Sequence, residues 1–427
     1  MARISRVWAR EIIDSRGVPT VETAVRLENG SVAVASVPTG ASTGKYEALE
    51  LRDGDPKRYL GKGVLKAVEN VNQKLGPALV GKDAAQQTDI DRLLGQLDGT
   101  PNKTNMGANA VLSVSMAVCK AGAGASNMSL YSWVYNLALA LGAVPEGGPS
   151  RVPTPIFNMV NGGLHGAGNL DFQEFHIIPA TSKPYYLGLQ GGVEIYHSLK
   201  AALIRRGAIH SVGDEGGFAP NLFTNADALE INVEAINTSG YRVGQDFFLG
   251  LDVAAGTFFR DGSYSIKDRS SPMSASAFIA FFEALNKQYK LVLVEDPLEE
   301  DDWNGWVEIA QKLGNKLLIV GDDLLATNPE RVKRAIELKA CNAILVKPNQ
   351  IGTVTETLEV VKQARSAGWR IIVSHRSGET NDWFIADFAV GARADFVKFG
   401  APARGERVAK YNRLLSIEAE LAAAKPK

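Results

Sequence analysis

Cysteine is nearly missing from this chain: there are two in 427 residues, Cys119 and Cys341, each inside an apolar segment. Two thiols give neither a disulfide framework nor, by themselves, a zinc site, so both read as buried free thiols. An excess of one charge is missing too. Lys+Arg number 46 against 47 Asp+Glu, for a formal net charge of −1. No global field is available to attract a nucleic acid or a membrane surface, and anion binding has to come from local clusters. Membrane-length hydrophobic runs are lacking. The most apolar stretch, 130–144, is interrupted by Asn136 and is too short to span a bilayer. Residues 1–8 have no signal-peptide apolar core, which makes a reduced, cytoplasmic compartment the default expectation; secondary secretion or cell-surface display is compatible with it. A glycine-rich nucleotide fingerprint after a first strand is also absent, which counts against a doubly wound open sheet.

What the chain does have is a series of apolar runs that end in a polar residue. Asn342-Ala-Ile-Leu-Val-Lys347 is one, closed by a lysine that must reach water or be held by something that uses its charge. Leu291–Glu295, Leu317–Asp322, Ile371–His375 and Asp395–Lys398 repeat the pattern, and Phe247–Asp252 precedes them. From Glu295 to Lys398 the tips follow one another at intervals of 23 to 28 residues, the length of a strand, a loop, a helix and a loop. Helical patterns at 274–288, 303–313, 329–338, 353–367 and 380–390 fall between these runs, and 406–424 closes the chain. The spacing predicts a (β/α) barrel with its chemistry at the carboxyl ends of the strands.

The first part of the chain is organised differently. Residues 7–13, 20–27 and 31–37 read as a strand meander with a turn at Glu28-Asn29-Gly30. A hydroxyl- and glycine-rich loop, 38–44, follows, and then helical patterns at 63–75, 89–97 and 108–122. The expected division is a small α+β domain over 1–144 and a barrel over 145–427.

Asp252, Glu295 and Asp322 stand at the ends of three candidate strands. Brought to one mouth they repel one another unless a cation or protons sit between them, and an all-oxygen set favours magnesium. Taken singly, each also reads as a loop acid or a helix cap, and Asp322-Asp323 is a candidate cap for the helix that follows. Lys347 and Lys398 form the opposite pair. Converging near a divalent cation, they are expected to depress each other's pKa, which leaves one neutral and able to act as a base. His375-Arg376-Ser377-Gly378 suits a phosphate, though alone it reads equally as a plain turn before a helix. Glu215, in Gly213-Asp-Glu-Gly-Gly217, is a candidate general acid in a segment that alone resembles a surface turn. Asn161-Gly-Gly-Leu-His165 and Gln173-Glu174 add less specific signals, while His176, His197 and His210 sit in ordinary contexts and receive no role. Together the set fits removal of a proton next to a carboxylate, with a metal stabilising the dianion, a pattern for which enolase-superfamily sites are the standing example.

At these residues the chain resembles the enolases from end to end. The resemblance is carried by Gly40-Ala-Ser-Thr-Gly44, Glu47-Ala-Leu-Glu-Leu-Arg52, Gln173-Glu174-Phe175, Gly213-Asp-Glu-Gly-Gly217, Glu295-Asp-Pro297, Gly321-Asp-Asp-Leu324 and Ser374-His-Arg-Ser-Gly-Glu-Thr380, in order. It implies a barrel with an irregular ββαα start, preceded by a small α+β domain. The implied activity is reversible dehydration of 2-phosphoglycerate to phosphoenolpyruvate, in glycolysis and gluconeogenesis, with two Mg2+ per site in the substrate complex. By motif position, Asp252, Glu295 and Asp322 hold the first metal, and the 38–44 loop offers Thr39 towards the second. Lys347 removes the proton at carbon 2, and Glu215 protonates the leaving hydroxyl with support from Glu174 and His165. Gln173 belongs to the carboxylate or hydroxyl side, Arg376 and Ser377 bind phosphate, and Lys398 and His375 complete the site. The family is dimeric or octameric. Two positions depart from its usual pattern: Thr39 stands where serine is usual and Val18 where asparagine is. Two other readings remain at this stage: another acid dehydratase or racemase of the same superfamily, and a binding or structural protein that keeps the fold.

Overall fold

The computed structural model describes residues 2–41, 44–163, 166, 168 and 170–424. The meander is present as β1 (Ile4–Ile13), β2 (Pro19–Leu27) and β3 (Val32–Ser36), antiparallel in that order. Gly30, at φ 86°, takes the left-handed position that the turn between β2 and β3 requires. Its helices are α1 (Leu65–Asn70), α2 (Gly76–Leu79), α3 (Gln87–Asp98), α4 (Ala108–Ala125) and α5 (Leu130–Ala140). The single helix expected over 63–75 is interrupted by a π-turn at Val71–Leu75. Pro77 follows directly and has no N–H to give the carbonyl four residues back, so the ladder widens before it. By length and composition α4 is apolar enough to cross a membrane, yet 83% of it is buried. It is the core helix beneath the sheet.

The barrel closes in the order β4 (Thr154–Asn161), β5 (Glu174–Pro179), β6 (Phe247–Asp252), β9 (Leu293–Glu295), β10 (Leu318–Gly321), β11 (Ala343–Val346), β12 (Arg370–Ser374), β13 (Phe396–Lys398) and back to β4. A small ribbon, β7 (Phe259–Arg260) with β8 (Ser263–Tyr264), is inserted after β6. The helices are α6 (Tyr185–Arg205), α7 (Asn225–Thr238), α8 (Ala275–Tyr289), α9 (Trp303–Leu313), α10 (Pro329–Leu338), α11 (Val354–Ser366), α12 (Phe384–Gly391) and α13 (Gly405–Ala423). Among the described residues no α-helix separates β4 from β5, and the two pair antiparallel. Two helices then lead from β5 to β6, again antiparallel, whereas the other neighbours in the ring are parallel. This is the irregular ββαα start.

Direction decides what each strand brings to the mouth. The barrel interior is plugged by Ile156, Ile178, Leu293, Val320, Ala343, Leu345 and Ile372. Side chains two positions apart on a strand share a face. One step further towards the mouth, the same inward face therefore presents Asn158, Glu295, Asp322, Lys347 and Ser374. Because β5 runs the other way, its mouth end is its amino end: Ile178 leads inward to His176 and then Glu174. Register completes the ring, with Glu174 opposite Asp252 and Asp252 opposite Glu295.

Candidate active site

A cavity of about 250 Å³ opens at this mouth, walled by Gln173, Glu174, Glu215, Asp252, Asp322, Lys347, His375, Arg376, Ser377 and Lys398 among others. Three larger hollows, about 910, 590 and 410 Å³, are lined by none of the strand-tip carboxylates or lysines. Size does not mark the chemistry here; converging charge does.

Lys398 is the centre of the carboxylate ring. Its ammonium donates to Asp252 Oδ2 at 2.9 Å and to both oxygens of Glu295 at 2.9 Å, and it lies 3.1 Å from Glu174 Oε2. Burial works against that charge, but Asp252, Glu174 and Glu295 outweigh it and hold the lysine well above its usual range. Lys347 has a single carboxylate partner, Asp322 Oδ2. Burial again opposes the charge and Asp322 offsets it, so Lys347 is raised, not lowered. Lys398 does lower Lys347, in the direction expected of the pair. Each lysine is buried against carboxylates, which outweigh the repulsion between the two.

The acids divide. Asp322 is lowered against the effect of burial, by Lys347 and Lys398. Glu295 is raised by burial and by repulsion from Asp252. Asp323, exposed at the cavity, is pushed up to about 7 by the protein packed around it and by Asp322. Asp296, Asp322 and Asp323 bring carboxylate oxygens within 4.8 Å of one another. Asp296 also accepts from the backbone N–H groups of Asp322 (3.0 Å) and Asp323 (2.6 Å), so it fixes the β10 tip against the β9 tip from a left-handed backbone at φ 41°. Two of these acids are buried and the third is exposed, and the all-oxygen donor set is one a hard divalent cation fits. Asp322-Asp323 do not cap α10. Asn328 does, accepting from the N–H groups of Glu330 and Arg331.

Across the cavity, Glu215 Oε2 accepts from Asn158 Nδ2 at 3.2 Å and lies 3.3 Å from His375 Nε2. His375 Nδ1 is 2.7 Å from Arg407 Nη1. A guanidinium can only donate, so Nδ1 holds the lone pair and the ring proton sits on Nε2, facing Glu215. Burial, with Arg407, also pushes the imidazole below its ordinary pKa. The Glu215 loop packs on β4 through Gly217, where a Cβ would fall 2.0 Å from Asn161 Oδ1.

Arg376 is buried and bonded to Glu47 at 2.8 and 3.2 Å and to Asn349 Oδ1 at 3.1 Å. Gln173 donates to Asp252 at 3.2 Å, and Glu174 accepts from His176 at 2.8 Å, which gives that histidine a place at the site. Ser377 lines the cavity, and its carbonyl accepts from Arg407. His165 lies outside the described residues. Thr39 is fully buried beside this wall, not in it: its hydroxyl donates to Asp14 and accepts from Arg16 at 3.0 Å. Gly378 exchanges backbone hydrogen bonds with Thr39 at 2.7 and 3.0 Å, and only glycine fits there, since a Cβ would meet Asp14 and Thr39 oxygens at 2.1 Å. The structure thus brings together the predicted residues it describes, apart from Thr39.

Contributors that carried no prior assignment include Asn158, Glu47, Gln350, Arg407, His176, Asp296 and Asn349. Glu47 lies in a segment that carries the resemblance, and that is the signal that marked it. Asn158 sits inside an apolar strand with nothing in its neighbours to single it out.

Fold and site together define a class: a (β/α) barrel, contacted at its mouth by a small α+β domain, with carboxylates and lysines at the strand ends in the manner of proton-abstraction sites. Residues 4–134 match the family described as Enolase, N-terminal domain, and residues 149–426 match Enolase, C-terminal TIM barrel domain. The chain belongs to the enolase family.

Proposed function

We propose that this protein catalyses the reversible, magnesium-dependent dehydration of 2-phosphoglycerate to phosphoenolpyruvate, the step that serves glycolysis and gluconeogenesis. The observation that carries the reading is one polar cavity walled by Lys347, Glu215 and the Arg376-Ser377 turn together: a base, an acid and a phosphate cradle for one small molecule. Lys347 takes the proton from carbon 2 once its pair with Asp322 is broken. Glu215 delivers a proton to the departing hydroxyl, kept in place by Asn158 and by the Nε2–H of His375. Glu174, with His165, supports the acid side. Gln173 addresses the carboxylate or hydroxyl of the substrate, and Lys398 balances the ring of acids. Arg376 and Ser377 bind the phosphate. Asp252, Glu295 and Asp322 are the residues that would hold a divalent cation; such an ion would supply the positive charge that a carbanion beside a carboxylate requires. A cytoplasmic location and a homodimeric or homo-octameric assembly belong to the same proposal.

The test is direct. Mixing the protein with magnesium and 2-phosphoglycerate is expected to raise the ultraviolet absorbance as the enol product forms. A flat trace from folded protein in the presence of magnesium would end the proposal.

A further inference from the structure

Glu47 lies outside the ring of strand tips, on the small domain, yet three parts of the mouth meet at its carboxylate. Arg376 donates to both of its oxygens, at 2.8 and 3.2 Å, in the two-pronged geometry that fixes a guanidinium plane. The backbone N–H of Gly44 donates to Oε1 at 2.9 Å, and Gln350 Nε2 approaches the same oxygen at 3.5 Å. That amide also donates to Asp322 Oδ1 at 3.2 Å, while Thr327 Oγ1 donates to Gln350 Oε1 at 2.6 Å and sets its orientation. The side chains of Arg376 and Glu47 are only 5% and 6% exposed. Asn349 is a second partner of the same guanidinium, at 3.1 Å.

We propose that Glu47, seconded by Asn349, is the positioning residue of the anion subsite: it holds the plane of the Arg376 guanidinium at the cavity wall, and through Gln350 it ties that cation to the Asp322 carboxylate. A free arginine here would have to be ordered by each incoming anion, at a cost in conformational entropy that the clamp removes. The proposal rests on the phosphate-binding reading of Arg376.

Glu47→Gln retains an acceptor for Gly44 and shape for Gln350, and it removes the charge that grips Arg376. The expected result is a rise in KM for 2-phosphoglycerate of roughly tenfold to a hundredfold with a much smaller change in kcat, because the phosphate is remote from the reacting carbon. Inorganic phosphate, titrated calorimetrically, is expected to bind the variant more weakly by a similar factor. Adding Glu47→Gln to Arg376→Lys is expected to cost nothing further, since the first residue acts through the second, whereas a merely structural role gives additive losses. If the wild type turns over and Glu47→Gln leaves KM and phosphate affinity unchanged, the proposal falls and the functional reading stands. If the wild type neither turns over nor binds phosphate, the functional reading falls and takes the proposal with it. Should Glu47→Gln not fold, Asn349→Ala is expected to raise KM in the same direction by a smaller factor, and an unchanged KM there overturns the proposal.

Discussion

Lys347 and Lys398 share a residue type, a depth and a cavity, but not a number of partners. Lys398 touches three carboxylates and Lys347 one. Removing the proton from Lys398 would leave three buried acids without a counter-charge, and the cost of unpaired buried charge forbids it. For Lys347 a single contact has to break. Under the proposed function, that asymmetry favours Lys347 as the base. Under the same proposal Glu215 takes the opposite task, with Asn158 Nδ2 at 3.2 Å and His375 Nε2 at 3.3 Å from its carboxylate. Lys347→Ala is therefore expected to abolish exchange of the carbon-2 proton with solvent, whereas Glu215→Gln spares exchange and blocks dehydration. Exchange followed by NMR in deuterated buffer separates the two, and equal loss in both variants would contradict the division of roles.

At the scale of elements, the site is the upper layer of a packed barrel. Leu345 sits under Lys347, Val320 under Asp322 and Leu293 under Glu295, so apolar filling sets the height and direction of each polar tip. Leu345 is fully buried, and Leu345→Ala is expected to destabilise the protein by about 2–5 kcal/mol through the cavity it leaves. Leu338, 40% exposed at the end of α10, provides the comparison: Leu338→Ala should stay within about 0.5 kcal/mol. Urea unfolding of the two variants measures the difference, and similar midpoints would mean that the plug does not bear on the tips. The same layering explains what the sequence made readable. A lysine or acid that closes an apolar run is conspicuous, and five such runs in series announce a barrel. Asn158 belongs to the same layer, but it lies inside β4 and meets Glu215 only through folding, 57 residues away. Glu174 shares its face with His176 and Ile178, yet whether that face looks up or down depends on the direction of β5, which periodicity does not encode. Thr39 carries the right hydroxyl for a metal; only the fold shows it engaged by Asp14 and Arg16.

The whole molecule depends on keeping the small domain seated on the barrel, and Asp301 is one place where that seat is ionic. It accepts from Lys45 Nζ at 2.9 Å and Tyr46 Oη at 2.7 Å on the small-domain side, and from Arg331 Nη1 at 3.1 Å on α10. Arg331 also stacks over the Tyr46 ring, 3.7 Å from its centroid, and lies 4.9 Å from the Trp303 ring. One guanidinium thus joins the segment after Gly44 to α9 and α10. Burial opposes the Asp301 charge, but Tyr46, Lys45 and Arg331 together hold its carboxyl at about 2. A carboxyl lowered in the folded state contributes stability that is fully present above its ordinary unfolded value, near 4, and is lost as pH falls through about 2. Asp301→Asn removes that contribution at every pH. The thermal midpoint of the variant is therefore expected to lie below that of the wild type by a constant gap from neutral pH down to about 4, and the gap should narrow as the wild-type carboxyl takes up its proton below that. Because the side chain is partly exposed, salt should shrink the gap as well. A gap that closes already near pH 6, or one that persists undiminished to the lowest pH at which both proteins remain folded, would mean that the seat does not rest on this carboxylate.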